Sequence, residues 1–408
     1  MQFNFTDVID REGRDALALD AKAAIAMGSL GPRDTVIDEG FDVIPMWVAD
    51  MNYATAPSVT RALHERVDHP CFGYFQPTDT YFDSIIDWHR VRNGVEGMKP
   101  EHIGYENGVL GGVVSALGVL CSRGDKVLVH SPTYVGFTHT LENNGYEIVH
   151  SPLERDAGGV WRMDFEDMER RIEREGIHAA IFCSPHNPTG RVWERWEIER
   201  AMDIFRRHDV FVISDEIWSD IVLPGFAHVP TQSVSDDARM RTVALYAPSK
   251  TFNLAGLVGS YHVIYNDWLR GRIEKESSLS HYNSMNVLSM HALLGAYCAE
   301  GAAWVDELRQ VIDANVSFAC DVIGRRFDGV GAARPQGTYM LFLDCERWCT
   351  ERRMSMDDLL RAGVRVGVLW QDGRAFGGAW TIRMNLALPF ARLQEAFGRL
   401  GRYVFNAS

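Results

Sequence analysis

The sequence predicts an α/β fold in which helices cover a mostly parallel sheet. Between residues 100 and 265, short runs of apolar and β-branched residues alternate with helical patterns. Within each run the apolar residues are consecutive, which is typical of strands in a parallel sheet that is buried on both faces. Strands that alternate with helices in this way favour one layered sheet. The predicted strands occupy residues 126–130, 179–183, 210–214, 242–246 and 259–264.

Amphipathic and apolar segments predict the helices that cover this sheet. The patterns at 164–175 and 195–207 have one apolar face, as helices packed on a sheet do. The segment ENGVLGGVV at 106–114 turns through glycine into an apolar run that ends near residue 121, and this predicts a third helix.

The last hundred residues have a different organisation. A long helical stretch at 289–327 precedes apolar runs at 339–343 and 382–386, which predicts a smaller α+β domain. We therefore expect a large domain over 48–288 and a small domain built from 1–47 and 289–408.

Composition excludes several classes of function. A net charge of −14 over 408 residues argues against nucleic acid or an anionic membrane as a partner. The N-terminus lacks a basic and apolar signal sequence, so we expect a cytoplasmic protein. Seven cysteines, an odd number, do not resemble a disulfide framework. Cys345 and Cys349 lack a second ligand pair, so we expect no metal site.

Four chemically useful side chains follow four successive predicted strands. They are Tyr134 in SPTY, Asn187 in SPHNPTG, Asp215 in DEIW and Lys250 in APSK. Each has an ordinary explanation as a turn residue, a helix cap or a surface charge. Ligands of open parallel sheets, however, bind beyond the carboxyl ends of the strands. Four such residues at consecutive strand ends therefore predict a ligand site.

Lys250 suggests the chemistry of this site, because the chain has only five lysines among 41 basic residues. A buried lysine amine forms a Schiff base with an aldehyde. Pyridoxal 5'-phosphate is the aldehyde cofactor that combines such a lysine with an acidic partner for its ring nitrogen. In this interpretation Asp215 binds that nitrogen, Asn187 donates to the ring oxygen, and Tyr134 stacks on the ring.

The phosphate of that cofactor also requires hydrogen-bond donors. The backbone N–H groups at the start of the helix after the glycine turn are suited to an anion, and a hydroxyl can add to them. The residues that we expect to bind the phosphate are Gly108, Val109, Leu110 and Ser249. Close packing of the helix on the sheet is the alternative explanation for the glycines.

The chain also resembles the fold-type I pyridoxal-phosphate enzymes. The segments SPHNPTGRVW, SDEIWSD, SKTFNLAG, GTYMLFLD and IRMNLALP are similar to the signature segments of that group. IPMWVADMNYATAP at 44–57 and FGYFQP at 72–77 resemble, more narrowly, the cystathionine β-lyase-like C–S lyases of the class I/II aminotransferase superfamily. The resemblance extends from about residue 30 to 392. It implies a mostly parallel seven-stranded sheet in the large domain.

The resemblance also implies roles for residues outside the strand ends. It implies a homodimer with shared active sites, in which Tyr74 reaches the phosphate bound by the partner subunit. Arg383 is expected to bind the substrate α-carboxylate, since its planar fork matches a carboxylate. Ala49 and Asn52, in WVADMN, are expected to contact the substrate.

Two positions depart from the pattern of the family. Trp218, expected beside the cofactor ring, stands where aminotransferases usually have Tyr and many of these lyases have His. Its indole is a donor only. Asn52 stands where these lyases generally have Asp. We expect both changes to affect the choice of substrate and to favour a bulky or less cationic S-substituent.

The predicted function is therefore β-elimination from cystathionine or an S-substituted L-cysteine, which yields a thiol, pyruvate and ammonia. A thiolate is a good leaving group because the pKa of a thiol is only about 8.5. Three alternatives remain open: transamination of an amino acid, a decarboxylating or deaminating reaction on a cysteine-conjugated natural product, and a regulatory protein that only binds the cofactor.

Overall fold

The computed structural model describes residues 2–280 and 283–406, which form two compact units. The larger unit comprises Thr55–Asn187 and Arg191–Asp306. The smaller unit comprises the described residues of Met1–Ala54, Pro188–Gly190 and Glu307–Ser408.

The strands and helices alternate along most of the chain, as the sequence predicts. The strands are β1 (Ile44–Pro45), β2 (Ile103–Asn107), β3 (Lys126–Ser131), β4 (Glu147–Arg155), β5 (Trp161–Met163), β6 (Ala179–Cys183), β7 (Phe211–Asp215), β8 (Thr242–Tyr246), β9 (Gly259–Val263), β10 (Gly331–Ala332), β11 (Met340–Asp344), β12 (Val368–Leu369), β13 (Gln371–Asp372) and β14 (Thr381–Asn385). The α-helices are α1 (Ala21–Ala26), α2 (Pro57–Val67), α3 (Asp79–Asn93), α4 (Val109–Leu120), α5 (Val135–Asn143), α6 (Phe165–Glu175), α7 (Arg195–Arg207), α8 (Asp236–Arg241), α9 (Asp267–Ser280), α10 (Val287–Ala296), α11 (Ala299–Arg326), α12 (Glu346–Arg352), α13 (Met356–Arg365) and α14 (Phe390–Leu400).

The larger unit contains an eight-stranded sheet in the order β2-β9-β8-β7-β6-β3-β4-β5. Strands β8, β7, β6, β3 and β4 pair in parallel, which confirms the predicted α/β class. The sheet has one strand more than expected, because the three-residue β5 forms an antiparallel pair with the end of β4. The prediction that β9 joins the parallel set was wrong. The connection from β8 to β9 contains turns and a short 3-10 helix in place of a crossover α-helix, and β9 runs antiparallel to β8.

Alternate residues of the central strands pack into two separate cores, one on each face of the sheet. Ile213 of β7 lies with Val113 and Leu117 of α4 on one face. Its neighbour Val212 lies with Met168 of α6 on the other face. Because both faces are covered, both sets of strand residues must be apolar. This burial explains the unalternating runs that predicted the strands.

The long helix predicted at 289–327 is two helices in the structure, α10 and α11. The backbone leaves the helical conformation at Tyr297, where φ is −89° and ψ is 58°. The ring of Tyr297 stacks on Trp88 with a centroid distance of 4.5 Å. Apolar periodicity alone did not reveal this break, since Tyr297 is as buried as the helical residues around it.

The smaller unit contains two sheets. Strands β1 and β12 pair in parallel, and the order of the antiparallel sheet is β10-β11-β14-β13. In the latter sheet Arg383 of β14 lies opposite Phe342 of β11 and Gln371 of β13. The predicted strands at 339–343 and 382–386 are thus central to the smaller sheet.

Within the larger unit α10 packs closely on α2, and Gly295 permits this contact. A Cβ atom at Gly295 would lie 2.6 Å from the carbonyl oxygen of Ser58 and 2.8 Å from the Cα of Val59. Both are backbone atoms of α2, which cannot turn aside as a side chain can.

We therefore expect Gly295→Ala to lower the free energy of unfolding by about 2 kcal/mol, because the added methyl group overpacks this interface. Gly271→Ala is the matched control, since a Cβ atom at Gly271 in α9 would meet no neighbouring group of the described residues within 4 Å. That substitution should raise stability by about 0.5–1 kcal/mol through helix propensity. Thermal denaturation of the two variants measures both effects. Equal melting temperatures would show that the α2–α10 contact tolerates a side chain.

Candidate active site

The strand order brings the four predicted strand-end residues to one edge of the large sheet. Strands β3, β6, β7 and β8 are consecutive neighbours and run in parallel, so their carboxyl ends lie side by side. Tyr134, Asn187 and Lys250 follow three of these ends, and Asp215 is the last residue of β7. In the register of the sheet Asp215 pairs with Cys183 on one side and Leu245 on the other.

Lys250 lies in a compact turn after β8. The N–H of Phe252 donates to the carbonyl of Pro248 at 2.8 Å, and the N–H of Leu254 donates to that of Ser249 at 2.9 Å. The Nζ atom of Lys250 is 5.9 Å from the centroid of the Trp218 ring, within the range of a cation–π interaction. Trp218 is buried. Lys250 and Trp218, two of the residues that the sequence places beside the cofactor ring, are therefore neighbours.

Asp215 is a buried carboxyl group with few hydrogen bonds. Among the described residues its side chain accepts one hydrogen bond, from the N–H of Ile217 to Oδ1 at 3.1 Å. Burial raises the pKa of Asp215 to about 7, although the Ile217 N–H and the charge of Lys250 oppose the shift. The effect of Lys250 shows that the two groups lie within electrostatic reach. A cationic donor at Oδ2 would offset the cost of burying the ionised carboxylate.

Tyr134 lies against the first turn of α4. A Cβ atom on Gly136 would come within 2.3 Å of Cε1 of Tyr134 and 3.0 Å of Cδ1 of Leu110. The side chains of Tyr134 and Leu110 therefore both lie next to Gly136. The ring of Tyr134 also meets Phe137 edge-to-face at 5.4 Å. The aromatic residue and the glycine turn, predicted to bind the ring and the phosphate, are thus brought together.

The start of α4 has the conformation expected of an anion-binding turn. Gly108 precedes the helix with φ = +81°, a conformation that favours glycine, and no side chain caps the helix. The first N–H groups, those of Val109 and Leu110 among them, lack partners within the helix. Gly112 packs against Leu245 of β8, where a Cβ atom would come within 2.6 Å of Cδ2 of Leu245. This close approach fixes α4 against the strand that precedes Lys250.

Asn187 is buried in the loop after β6. The N–H of His186 donates to the carbonyl of Arg191 at 2.8 Å, which closes this loop. The indole of Trp193 donates to the carbonyl of Cys183 at 2.9 Å and ties the loop to the end of β6. Asn187 therefore lies in a loop that these hydrogen bonds close and attach to the end of β6.

Tyr74 is the predicted cofactor residue that is not packed within its own chain. It lies in a segment without regular secondary structure, and its side chain is fully exposed, at 111%. Phe72 of the same segment is 56% exposed. Two exposed aromatic rings in one short segment are typical of a surface that contacts another protein.

The three predicted substrate residues lie in the smaller unit. Arg383 is buried in β14, where its Nη2 donates to the carbonyl of Trp47 at 3.1 Å and to Oε1 of Gln371. Its guanidinium lies 4.5 Å from the centroid of the Phe376 ring. Both of these acceptor oxygens are neutral. The planar fork that they orient suits a carboxylate ligand.

Ala49 and Asn52 lie in the segment that follows β1. The hydroxyl of Tyr339 donates to the carbonyl of Ala49 at 3.1 Å. The N–H of Asn52 donates to the carbonyl of Ala387 at 2.9 Å, and its Oδ1 accepts from Nη1 of Arg11 at 3.2 Å. Sequence analysis did not single out Arg11.

Sequence analysis also missed the buried network around Glu216. The carboxylate accepts hydrogen bonds from the hydroxyls of Ser214 and Tyr246, from Nε2 of His228 and from the N–H of Thr231, at 2.7–3.0 Å. Burial alone would raise the pKa of Glu216, but His228 and these donors hold it below its usual value. In the sequence, the adjacent acidic residues DE at 215–216 were the only indication of this network. They did not show that Asp215 and Glu216 have different surroundings.

The pKa of Asp215 leads to a prediction for the cofactor-free protein. The value of about 7 exceeds the ordinary 3.8, so the folded state holds the proton more tightly than the unfolded chain. The stability that comes from protonated Asp215 in the folded state is complete below pH 4, and it is lost as the pH rises towards 7. Asp215→Asn does not titrate, so its stability relative to wild type should rise over that range by at most about 4 kcal/mol and then level off. Thermal denaturation of the two apoproteins at pH 5, 6, 7 and 8 measures the difference, and a constant difference would contradict the buried pKa.

Comparisons with known proteins agree with the fold. Residues 42–400 match the family model "Aminotransferase class I and II". Cystathionine beta-lyase PatB of Bacillus subtilis is 34% identical over 362 residues, which cover 88% of this chain and 92% of that protein. The pyridoxal-phosphate-bound putative aminotransferase of Clostridium difficile has a TM-score of 0.89 at 30% identity and covers 98% of this chain and 99% of its own. Cystalysin of Treponema denticola, solved with pyridoxal 5'-phosphate, has a TM-score of 0.88 at 28% identity, with 98% of each chain covered. The chain belongs to the class I and II aminotransferase family.

Proposed function

We propose that the protein is a pyridoxal-phosphate-dependent carbon–sulfur β-lyase that cleaves cystathionine or another S-substituted L-cysteine. The observation that carries this proposal is the convergence of Lys250, Asp215, Tyr134 and Asn187 at the carboxyl ends of four neighbouring strands. The similarity to PatB and cystalysin over nearly the whole chain favours the lyase branch of the family.

The residues at the strand ends fit the cofactor. Lys250 supplies the amine for its aldehyde, Asp215 the carboxylate for its ring nitrogen, and Tyr134 an aromatic face. The buried, sparsely hydrogen-bonded carboxyl of Asp215 is the observation that tests the fit, since a cationic ring N–H stabilises its ionised form. When bound, pyridoxal phosphate supplies an electron sink for the bond between Cα and its hydrogen. The turn at Gly108–Leu110, with Ser249, supplies donors for the phosphate.

The remaining steps belong to side chains of this protein. Arg383 binds the α-carboxylate of the amino acid, with Ala49 and Asn52 beside it. The amine of Lys250 takes the Cα proton. The Cβ–S bond then breaks, the thiolate leaves with the electron pair, and water converts the remaining fragment to pyruvate and ammonia. The indole of Trp218 forms an apolar wall next to Lys250, which suits a bulky S-substituent.

Transamination is the second candidate function, and the similarity to the putative aminotransferase of Clostridium difficile favours it. Both reactions require Lys250 to carry the Cα proton. They differ in the fate of the amino group, which is released as ammonia by a lyase and transferred to a keto acid by an aminotransferase.

The products formed from L-cystathionine, and from a cysteine with a bulky S-substituent, distinguish the two reactions. We expect thiol, pyruvate and ammonia in equal amounts without any keto acid, and faster turnover of the bulky substrate. Lys250→Ala should abolish turnover, and borohydride reduction of the wild type should attach the cofactor to the Lys250 peptide. Lys126→Ala is the control, because Lys126 pairs with Glu175 at the other end of the sheet strands. Product formation only when a keto acid is added would replace the lyase with an aminotransferase.

We further propose a homodimer in which each chain completes the site of the other, and a cytoplasmic location. The exposed rings of Phe72 and Tyr74 support the dimer, since burial of exposed aromatic rings against a partner is favourable. All seven cysteines are free thiols, which fits a reducing compartment. Among the described residues, no helix is both long and apolar enough to cross a membrane.

Mixing two impaired variants tests the shared site. Tyr74→Phe should weaken phosphate binding in the neighbouring subunit, and Lys250→Ala should remove the proton carrier from its own subunit. If Tyr74 serves the partner, a heterodimer contains one site with both residues intact, so mixed and reassociated chains should recover up to about a quarter of wild-type activity. Sedimentation of the wild type gives the oligomeric state, and a fully active monomer would rule out the proposal.

A further inference from the structure

Arg11, in the segment before α1, makes a two-point ion pair with Asp50. The distance from Nη2 to Oδ2 is 2.7 Å, and that from Nη1 to Oδ1 is 3.2 Å. The same Nη1 donates to Oδ1 of Asn52 at 3.2 Å and to the carbonyl of Met51 at 3.4 Å. The side chains of Arg11 and Asp50 are only 19% and 22% exposed. One guanidinium therefore holds three consecutive residues, 50 to 52.

The preceding residues of the same segment are held by two side chains of β14 and by Tyr339, the residue before β11. Arg383 donates to the carbonyl of Trp47, Asn385 to that of Val48 at 2.8 Å, and Tyr339 to that of Ala49. The segment 47–52 is thus held by Arg383 and its neighbours at one end and by Arg11 at the other. It contains both residues, Ala49 and Asn52, that we propose to contact the substrate.

The charge of Asp50 reaches the surroundings of Arg383. Burial raises the pKa of the Tyr339 hydroxyl, the Asp50 carboxylate raises it further, and Arg383 opposes the rise. Asp50 and Arg383 therefore both lie within electrostatic reach of Tyr339. An unpaired carboxylate at Asp50 would lower the potential near Arg383, and it would oppose the binding of another carboxylate there.

We propose that Arg11 is a positioning residue for the substrate, which acts by cancelling the charge of Asp50 and by ordering segment 47–52. This inference rests on the proposed role of Arg383 as the site of the α-carboxylate. The identity of residue 52 supports the inference. Because Asn52 is a neutral amide, the one positive charge of Arg11 balances the one negative charge of Asp50. The N-terminal segment, to which no role had been assigned, thereby becomes part of the substrate-binding apparatus.

The central test is the pair Arg11→Met and Arg11→Met/Asp50→Asn in the holoenzyme. The single variant leaves Asp50 unpaired, so KM for the S-substituted cysteine should rise about tenfold while kcat stays within about twofold. The double variant removes the unpaired charge, and KM should return to within about threefold of wild type. Arg11→Lys keeps the charge but not the fork, and should lie between wild type and Arg11→Met.

Arg14→Met is the matched control, since Arg14 is an exposed arginine of the same segment. It should leave KM unchanged. The visible absorption of the bound cofactor and its stoichiometry should be the same in all variants, because none of the substitutions touches the residues of the large sheet.

A second readout does not depend on turnover. Binding of 2-methylalanine, an α-amino acid without a Cα proton, follows from the visible spectrum of the holoenzyme. Its Kd should change in the same order as KM. If wild type binds this ligand but eliminates no thiol, the proposed lyase reaction fails and the Kd values still decide the role of Arg11.

Three results would overturn the inference. The first is a Kd and KM in Arg11→Met within twofold of wild type. The second is a double variant whose KM and Kd are no lower than those of the single variant. In that case the unpaired charge of Asp50 would not be the cause of the weaker binding. The third is a loss of bound cofactor together with a lower melting temperature, which would mark Arg11 as a structural residue only.

Discussion

The parallel pairing of β3, β6, β7 and β8 is the constraint on which the candidate active site depends. Parallel strands end at the same edge, so residues far apart in the sequence meet there without any contact between their own local segments. The register places Asp215 between Cys183 and Leu245, at the end of a strand that is buried on both faces. Burial of that carboxyl group, and hence its raised pKa, is a direct result of its position in the sheet.

The sequence was sufficient to predict the residues at this edge because each follows a strand that periodicity reveals. Lys250 and Asp215 were predicted from their positions alone, before any resemblance was used. The start of α4 was also predictable, since a glycine before an apolar run marks a helix N-terminus. The roles of these residues in binding a cofactor remain predictions, and the labelling and variant experiments address them.

Other features could not be predicted, because they depend on contacts between distant segments. Nothing near Arg11 in the sequence indicates Asp50 as its partner, and Gln371 and Trp47 become acceptors for Arg383 only through the fold of the small sheet. The direction of β9 depends on the length and turns of one connection, which apolar runs do not encode. The break at Tyr297 does not show in the apolar pattern of the sequence. Tyr297 is buried by stacking on Trp88, and helical residues of the core are buried in the same way.

The two adjacent carboxyl groups at the end of β7 divide two tasks between them. Among the described residues, Glu216 has four donors, which lower its pKa and fasten the turn, while Asp215 has a raised pKa and accepts one hydrogen bond. If a single carboxylate served both purposes, each change in its protonation would also break the hydrogen bonds that secure the turn. Because the tasks are separate, a change in the protonation of Asp215 leaves the hydrogen bonds of Glu216 in place. The site thus keeps the titration of Asp215 apart from the hydrogen bonds that hold the turn, at the cost of one additional buried acid.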